Sequence, residues 1–434
     1  MSAAVTEKNP TAEVASRIER HLSPAAPAAS LRTEALEAFK ALGLPAARAE
    51  EYKFTPITRM LEKTFSFATD NAAAQPVDSS AYKISGLEAD VLVFVNGVYN
   101  AAASAINSQV TVLPLREALQ SHPELVLKHL GQYADVKSDA LTAWNTASFA
   151  DGVFIHVPDK TVVERPIALY YVHDTRGSQI ITANRNLIVV GKSSEVTVIE
   201  KFDTVGNGPG FSNTVTEAFV SENAGLELYS IQNDATRHQY GLTQVYQQNF
   251  SRVNTYTFTL NGKLVRNNLQ LSLDGEGIES HMYGLYLLTN DTLGDNHTVV
   301  DHKKANSFSN ELYKGIMDGS SKGVFNGKIY VRPNAQKTNA FQANRNILLT
   351  DKATVNTKPQ LEIWADDVKC SHGCTTGQLD EEALFYLRTR GIDKSSAQAM
   401  VLYAFAGEVL SNIKHPLLKE YLEKIVSERL HQNF

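Results

Sequence analysis

Asn186-Leu-Ile-Val-Val-Gly-Lys-Ser-Ser-Glu-Val-Thr-Val-Ile199 holds two short aliphatic, β-branched runs divided by a polar turn. The same pattern recurs as Val153-Phe-Ile-His-Val157, Val253-Asn-Thr-Tyr-Thr-Phe258 and Lys328-Ile-Tyr-Val331, with Gly, Asn, Asp and Ser between the runs. From about Gly152 to Gly377, more than half of the 434 residues, no stretch keeps a 3.6-residue period. A sandwich accounts for about 100 such residues. A longer run of small strand units suits a solenoid, in which each coil buries its inner face against the next. Ala183-Asn-Arg-Asn-Leu-Ile188 returns as Ala343-Asn-Arg-Asn-Ile-Leu348, which is consistent with repetition. The expected fold is mainly β, a right-handed parallel β-helix (solenoid) flanked by N-terminal and C-terminal helical regions. Coils of just over 20 residues would stack about ten turns roughly 4.8 Å apart into a rod of about 50 Å, its open ends capped by the helical regions.

The flanks read differently. Ala12–His21 and Ser30–Leu42 are Ala-, Glu-, Leu- and Arg-rich, and the second stops at Gly43 with Pro45 beyond. An Ala/Ser-rich stretch around Asp70–Ser80 leads to a buried strand, Val91-Leu-Val-Phe-Val95, and then to helical patterns at Leu115–Leu130 and Ser138–Phe149. After the β region, Asp380 can cap a helix over Glu381–Arg390 that ends at Gly391, and Asp393 one running to about Ile413. Met400, Val401, Ala404, Phe405 and Val409 are expected on one side of that helix. Pro416 precedes a last helix over Leu418–Leu430. Three regions result: 1–150 mainly helical with a few strands, 151–378 the β-helix, and 379–434 a helical module.

Composition narrows the function. An apolar content of 43%, a charged content of 20% and no run of about 18 apolar residues fit a soluble globular chain. The 41 basic and 47 acidic residues are interspersed, without the basic stripe that a phosphate backbone needs, so neither nucleic acid nor membrane is expected as a partner. Met1–Pro10 does not read as a secretory leader, and the expected location is cytoplasmic. Gly315, Gly319, Gly323 and Gly327 are read as tight turns, since no Gly-Lys-Ser/Thr follows them. Gly206-Asn-Gly-Pro-Gly210 lacks the dinucleotide-binding spacing. Hydrolase signatures are missing as well, so the chain is not expected to be an enzyme. His281, His297 and His302 fit no ligand spacing and are read as turn and surface residues.

Soft-ligand chemistry concentrates in Asp366-Asp-Val-Lys-Cys-Ser-His-Gly-Cys-Thr-Thr-Gly-Gln-Leu379. In an extended strand Val368, Cys370, His372 and Cys374 share one face. Cys370 and Cys374 would then stand about 13 Å apart, too far to share one ion, so further ligands must come from another strand or subunit. Two semi-buried thiols and a hydrogen-bonded imidazole with structural roles fit the same spacing.

Asp366-Asp-Val-Lys-Cys-Ser-His-Gly373, Gly377-Gln-Leu-Asp380 and Phe385-Tyr-Leu-Arg-Thr-Arg-Gly391 resemble the C-terminal signature of the SufD branch of the SufB/SufD family. Asp295-Asn-His-Thr298, His302, Tyr313-Lys-Gly315, Phe325-Asn-Gly-Lys-Ile-Tyr-Val331, Ala335-Gln-Lys-Thr338 and Asp351-Lys-Ala353 follow in that family's order. Gly43-Leu-Pro45 and Glu50-Glu-Tyr-Lys-Phe-Thr55 extend the match to the N-terminal region. The resemblance implies a non-catalytic scaffold subunit of the SUF iron-sulfur cluster assembly system, partnered by a SufB-like paralogue and a SufC-like ABC ATPase. It implies His372, with Cys370 beside it, at a cluster-assembly interface shared with the partner chain, with His372 a metal ligand there. It also implies ATPase docking by the C-terminal helices, through Leu384, Phe385, Tyr386, Arg388, Arg390 and Gly391. No cofactor is expected to stay bound to the chain alone; an iron-sulfur cluster would pass transiently, and a flavin or a homodimer of the isolated chain are states the resemblance admits. Cys374 and Tyr52, the latter where the motif has tryptophan, depart from the family pattern. A SufB-like sulfur acceptor and a polysaccharide-active β-helix enzyme are the competing readings.

Overall fold

In this computed structural model the protein is described over residues 9–23, 28–68, 70–71 and 73–432. Of the Met1–Pro10 segment read for a leader, only Asn9 and Pro10 fall among them. The Asn9 side chain accepts from the Ala12 N–H at 3.2 Å, and Pro10 opens α1 (Pro10–His21). α2 (Ala29–Leu42) ends at Gly43, whose φ of +66° suits a residue without a Cβ. Then come α3 (Ile57–Thr64), β1 (Asp90–Val95), β2 (Val98–Tyr99), β3 (Thr111–Pro114), α4 (Leu115–Ser121), α5 (Pro123–His129) and α6 (Ala140–Ser148). The single helical pattern expected over 115–130 is therefore two helices. Pro123 offers no N–H and disfavours a helical residue before it, and His122 accordingly takes φ −134° and ψ 47°.

The β region runs β4 (Val153–Val157), β5 (Ile167–Asp174), β6 (Ile180–Val190), β7 (Glu195–Val205), β8 (Gly210–Val220), β9 (Gly225–Asn233), β10 (Arg237–Gln247) and β11 (Arg252–Asn261). It continues with β12 (Leu264–Leu273), β13 (Glu279–Leu288), β14 (Leu293–His302), β15 (Phe308–Met317), β16 (Lys322–Val331), β17 (Asn339–Leu348), β18 (Thr354–Ile363) and β19 (Lys369–Gly377). Odd strands from β5 on join β1 and β2 in a ten-stranded sheet, and even strands join β3 in a nine-stranded one. From β4 on, each strand pairs in parallel with the next strand of its own sheet, so the chain winds as a parallel β-solenoid of about eight turns.

The coil is longer than expected. Register partners lie 27 residues apart at Thr255 and Met282 and 31 apart at Glu311 and Gln342. Each turn spends two strands of about ten residues, and short apolar runs had suggested more and smaller coils. Eight turns at about 4.8 Å shorten the rod to roughly 40 Å. The Ala-Asn-Arg-Asn similarity is likewise not a coil repeat, because 183–188 lies in β6 of one sheet and 343–348 in β17 of the other.

Three layers of core follow from strands that are apolar on both faces. Between the sheets pack Leu92, Phe94, Leu169, Ile188, Val198, Leu271, Phe325 and Val331. The helices α7 (Glu381–Thr389), α8 (Lys394–Leu410) and α9 (Pro416–Gln432) follow the last strand. Leu402, Ala406, Val409 and Leu410 of α8 and Leu418, Leu422 and Val426 of α9 lie on Tyr229, Ile231, Tyr256, Leu285 and Ile316 of the odd sheet. On the even sheet α1, α2 and α6 cover Phe211, Val215 and Tyr240.

The flanking helices thus clad the sheet faces instead of capping the rod ends. Each large apolar side chain buried this way contributes about 1.5–3 kcal/mol, more than covering a few strand ends would yield. The face of α8 differs in part: Val409 is buried as expected, but Met400 is 47% exposed and Ala404 is exposed, while Leu402 and Ala406 pack between sheet and α9.

The two ends of the solenoid are unlike. At the start, β2 and β3 fold back antiparallel on β1 and β4, and α4 and α5 pack nearby. At the finish, β18 and β19 each pair on one side only; β18 is mostly half-buried and β19 largely exposed.

Candidate functional site

The open end carries the Cys-Ser-His-Gly-Cys segment as the last strand of the odd sheet. Lys369 N–H donates to Thr338 O at 2.8 Å, and the parallel register sets Cys370 beside Ala340, His372 beside Gln342 and Cys374 beside Asn344. Ala340 belongs to the inter-sheet core and Cys370 packs against it, so Cys370, His372 and Cys374 are in phase with the lumen side. Cys370 is half-buried and burial pushes its thiol up, whereas His372 and Cys374 are exposed. Among the described residues no three His, Cys, Asp or Glu side chains gather to hold a metal ion. Exposed Phe341, Ile363 and Trp364 add apolar surface to this end, and an added Cβ at Gly373 would meet nothing within 4 Å.

Beneath the edge lies a polar column that sequence reading missed. Gln342 is buried, and its Nε2 donates to Glu311 Oε2 at 2.8 Å. Burial raises the Glu311 carboxyl to about 7, against the pull of Thr298 and Gln342 beside it. Asn344 Nδ2 donates to Tyr286 Oη at 2.9 Å and Tyr313 O at 3.2 Å, while its Oδ1 accepts from Asn346 Nδ2 at 2.8 Å. The signal available was the alternation Gln342, Asn344, Asn346 at period two.

Gly327 makes room for this column, since a Cβ there would stand 2.2 Å from Gln342 Nε2. Gly315 lets the Tyr286 ring approach, at 2.1 Å from a Cβ. Of the four glycines expected in turns, only Gly319 has positive φ, +66°; Gly315, Gly323 and Gly327 lie inside strands. The expected surface histidines also differ. His302 is fully buried, held by Ser309 Oγ at 2.9 Å and lowered to about 4 by burial. His297 is tucked against Asp295 at 3.0 Å and Glu51 at 3.3 Å, and His281 pairs with Glu279 at 2.8 Å. These three do not come together at one site.

On the C-terminal helices, Asp380 caps α7 by accepting from Glu382 N and Ala383 N, each at 3.0 Å, and Asp393 caps α8 through Ser396 N at 3.0 Å. Leu384 is buried and anchors α7. Phe385 is 72% exposed and Tyr386 57%, with the Arg390 guanidinium 5.1 Å from the Tyr386 ring centroid and Arg388 exposed nearby. Gly391 closes the helix at φ +86°.

Two family descriptions match this architecture: the SUF system FeS cluster assembly SufBD core domain over residues 172–405, and the SufBD protein N-terminal region over 12–169. The chain belongs to the SufBD family of iron-sulfur cluster assembly proteins. It is 30% identical to the iron-sulfur cluster assembly protein SufD of Escherichia coli, over 89% of this chain and 90% of that one. A SufBD family protein of Synechocystis is 31% identical over 92% and 90% of the two chains, and the SufD of Bacillus subtilis 28% over 72% of each.

Proposed function

We propose that this chain is a scaffold subunit without turnover of its own, which pairs through the open end of its solenoid with a SufB-type paralogue and works with a SufC-type ATPase. The observation that carries this reading is the pair of half-unpaired strands β18 and β19, the latter exposed with His372 and Cys374 upon it. An exposed edge is a template for a further strand, and Ile363 and Trp364 supply apolar contact around it. His372 and Cys370 stand at this interface, where substrate iron and sulfide are joined; donors from the partner chain complete the ligand set that one strand is too extended to provide. The nascent cluster is cargo that passes through. No described helix is long and apolar enough to cross a membrane, and the proposed setting is the cytoplasm.

The exposed face of α7 formed by Phe385, Tyr386, Arg388 and Arg390 is the proposed ATPase dock, with Gly391 shaping its end. α8 and α9 lie directly on the odd sheet, so a push on this module reaches the solenoid.

Co-expression with a SufB-type and a SufC-type chain tests the reading. Wild type should join both, and His372→Ala should join both but carry far less iron and sulfide. Full cluster content in the variant would remove His372 from the site, and failure of the wild-type chain to join would remove the pairing itself.

A further inference from the structure

Three lumen-facing positions of β17 underlie β19: Ala340 under Cys370, Gln342 under His372 and Asn344 under Cys374. Ala340 has no polar side-chain atom, and Asn344 is saturated by Tyr286, Tyr313 and Asn346. Gln342 differs. Its amide orientation is set by Nε2 donating to Glu311 Oε2, which turns Oε1 away from the carboxyl. Among the described residues Gln342 Oε1 meets no hydrogen-bond donor, although the side chain is 3% exposed. A buried acceptor left unpaired costs about 1–3 kcal/mol, so it recruits a donor within reach. The in-register residue on the neighbouring strand, about 4.8 Å away, is His372.

We infer that Gln342 is a positioning residue for His372: when the exposed imidazole turns onto β17 its N–H donates to Gln342 Oε1, and Glu311 behind it holds the amide in that orientation. One ring nitrogen then carries the proton toward the lumen, and the other keeps its lone pair directed at the open edge. A ligating histidine needs this arrangement, because the partner of its N–H selects the tautomer and fixes the ring plane. The column Glu311, Gln342, His372 thereby spans three successive turns of the solenoid. The functional part of this inference rests on the role proposed for His372, but the hydrogen bond itself does not.

The test separates the two. The full-length chain, labelled with ¹⁵N-histidine and with His372 assigned through His372→Ala, is compared at pH 8 with Gln342→Met by long-range ¹H–¹⁵N correlation. Wild type should show one protonated and one bare nitrogen at His372, and Gln342→Met should move both toward averaged shifts. The exchange variant Glu311→Gln/Gln342→Glu, which keeps a donor facing a carboxylate with an acceptor toward His372, should restore the wild-type pattern. An averaged His372 in wild type, or a Gln342→Met spectrum identical to wild type, overturns the inference; should Gln342→Met not fold, the wild-type spectrum alone decides. In the co-expressed complex Gln342→Met should lower cluster content about 10-fold or more with assembly intact. A shifted tautomer with unchanged cluster content would uphold the hydrogen bond and defeat the site proposed for His372.

Discussion

Arg185 of β6 donates to Glu217 of β8 at 2.5 Å, with both side chains fully buried between the even sheet and the N-terminal helices. Glu217 also accepts from the backbone N–H groups of Gly131, Tyr133 and Ala134 at 2.8–2.9 Å, so one carboxylate ties the loop after α5 to the solenoid wall. Removing one member of a buried pair strands the other's charge. Arg185→Leu should lower stability by about 3–5 kcal/mol, read as a reduced denaturant midpoint. Arg345, its counterpart in the similar stretch, is an exposed partner of Glu408 at 3.0 Å. Arg345→Leu should cost no more than about 1 kcal/mol.

Glu311 gives a pH signature. Its folded pKa of about 7 lies above the unfolded value of 4.5, so the native state holds its proton more tightly. Its stabilising contribution is complete below about pH 4.5 and is lost as pH rises through 7. His302, lowered to about 4, has the opposite slope, its contribution being lost as pH falls from 6.5 toward 4. The two partly cancel in the wild type, so the difference between Glu311→Gln and wild type is the useful curve. That difference should move in favour of the variant by about 2–3 kcal/mol between pH 4.5 and 8; a flat difference would show that Glu311 titrates normally.

Gly315 faces the fully buried Tyr286 ring. With ring atoms at 2.1 and 2.5 Å from an added Cβ and Asn346 Oδ1 at 2.7 Å, Gly315→Ala should destabilise by about 1–3 kcal/mol by thermal unfolding. Gly391→Ala, with open space around it, should lose less, through its φ of +86° alone.

Alternate backbone groups of β19 serve different neighbours. Lys369 N–H bonds Thr338 O, just ahead of β17, and in a parallel ladder Ser371, Gly373 and Thr375 bond β17 itself, leaving the N–H groups of Cys370, His372 and Cys374 at the free edge. Proline at Cys374 should therefore leave the isolated chain nearly as stable as wild type while weakening capture of a partner chain. Proline at Thr375 removes a ladder bond and should lower the melting temperature. Equal effects on stability would show that both residues bond alike.

Local chemistry determined much of this protein directly. Asp380 and Asp393 announce helix starts because capping involves residues two or three apart, and the alternating β runs announce strands because side chains alternate at period two. The segment around His372 stood out by composition, and its extended spacing already required donors from elsewhere. Tertiary structure decided what depends on long-range register. A turn of about 30 residues, not 20, determines which residues meet, and only that length brings Glu311, Gln342 and His372 into one column. Nor could periodicity say that the helices would clad the sheets and leave one end open. That choice came from apolar surface on both faces of the same strands, which outweighed the strand ends in the competition for burial.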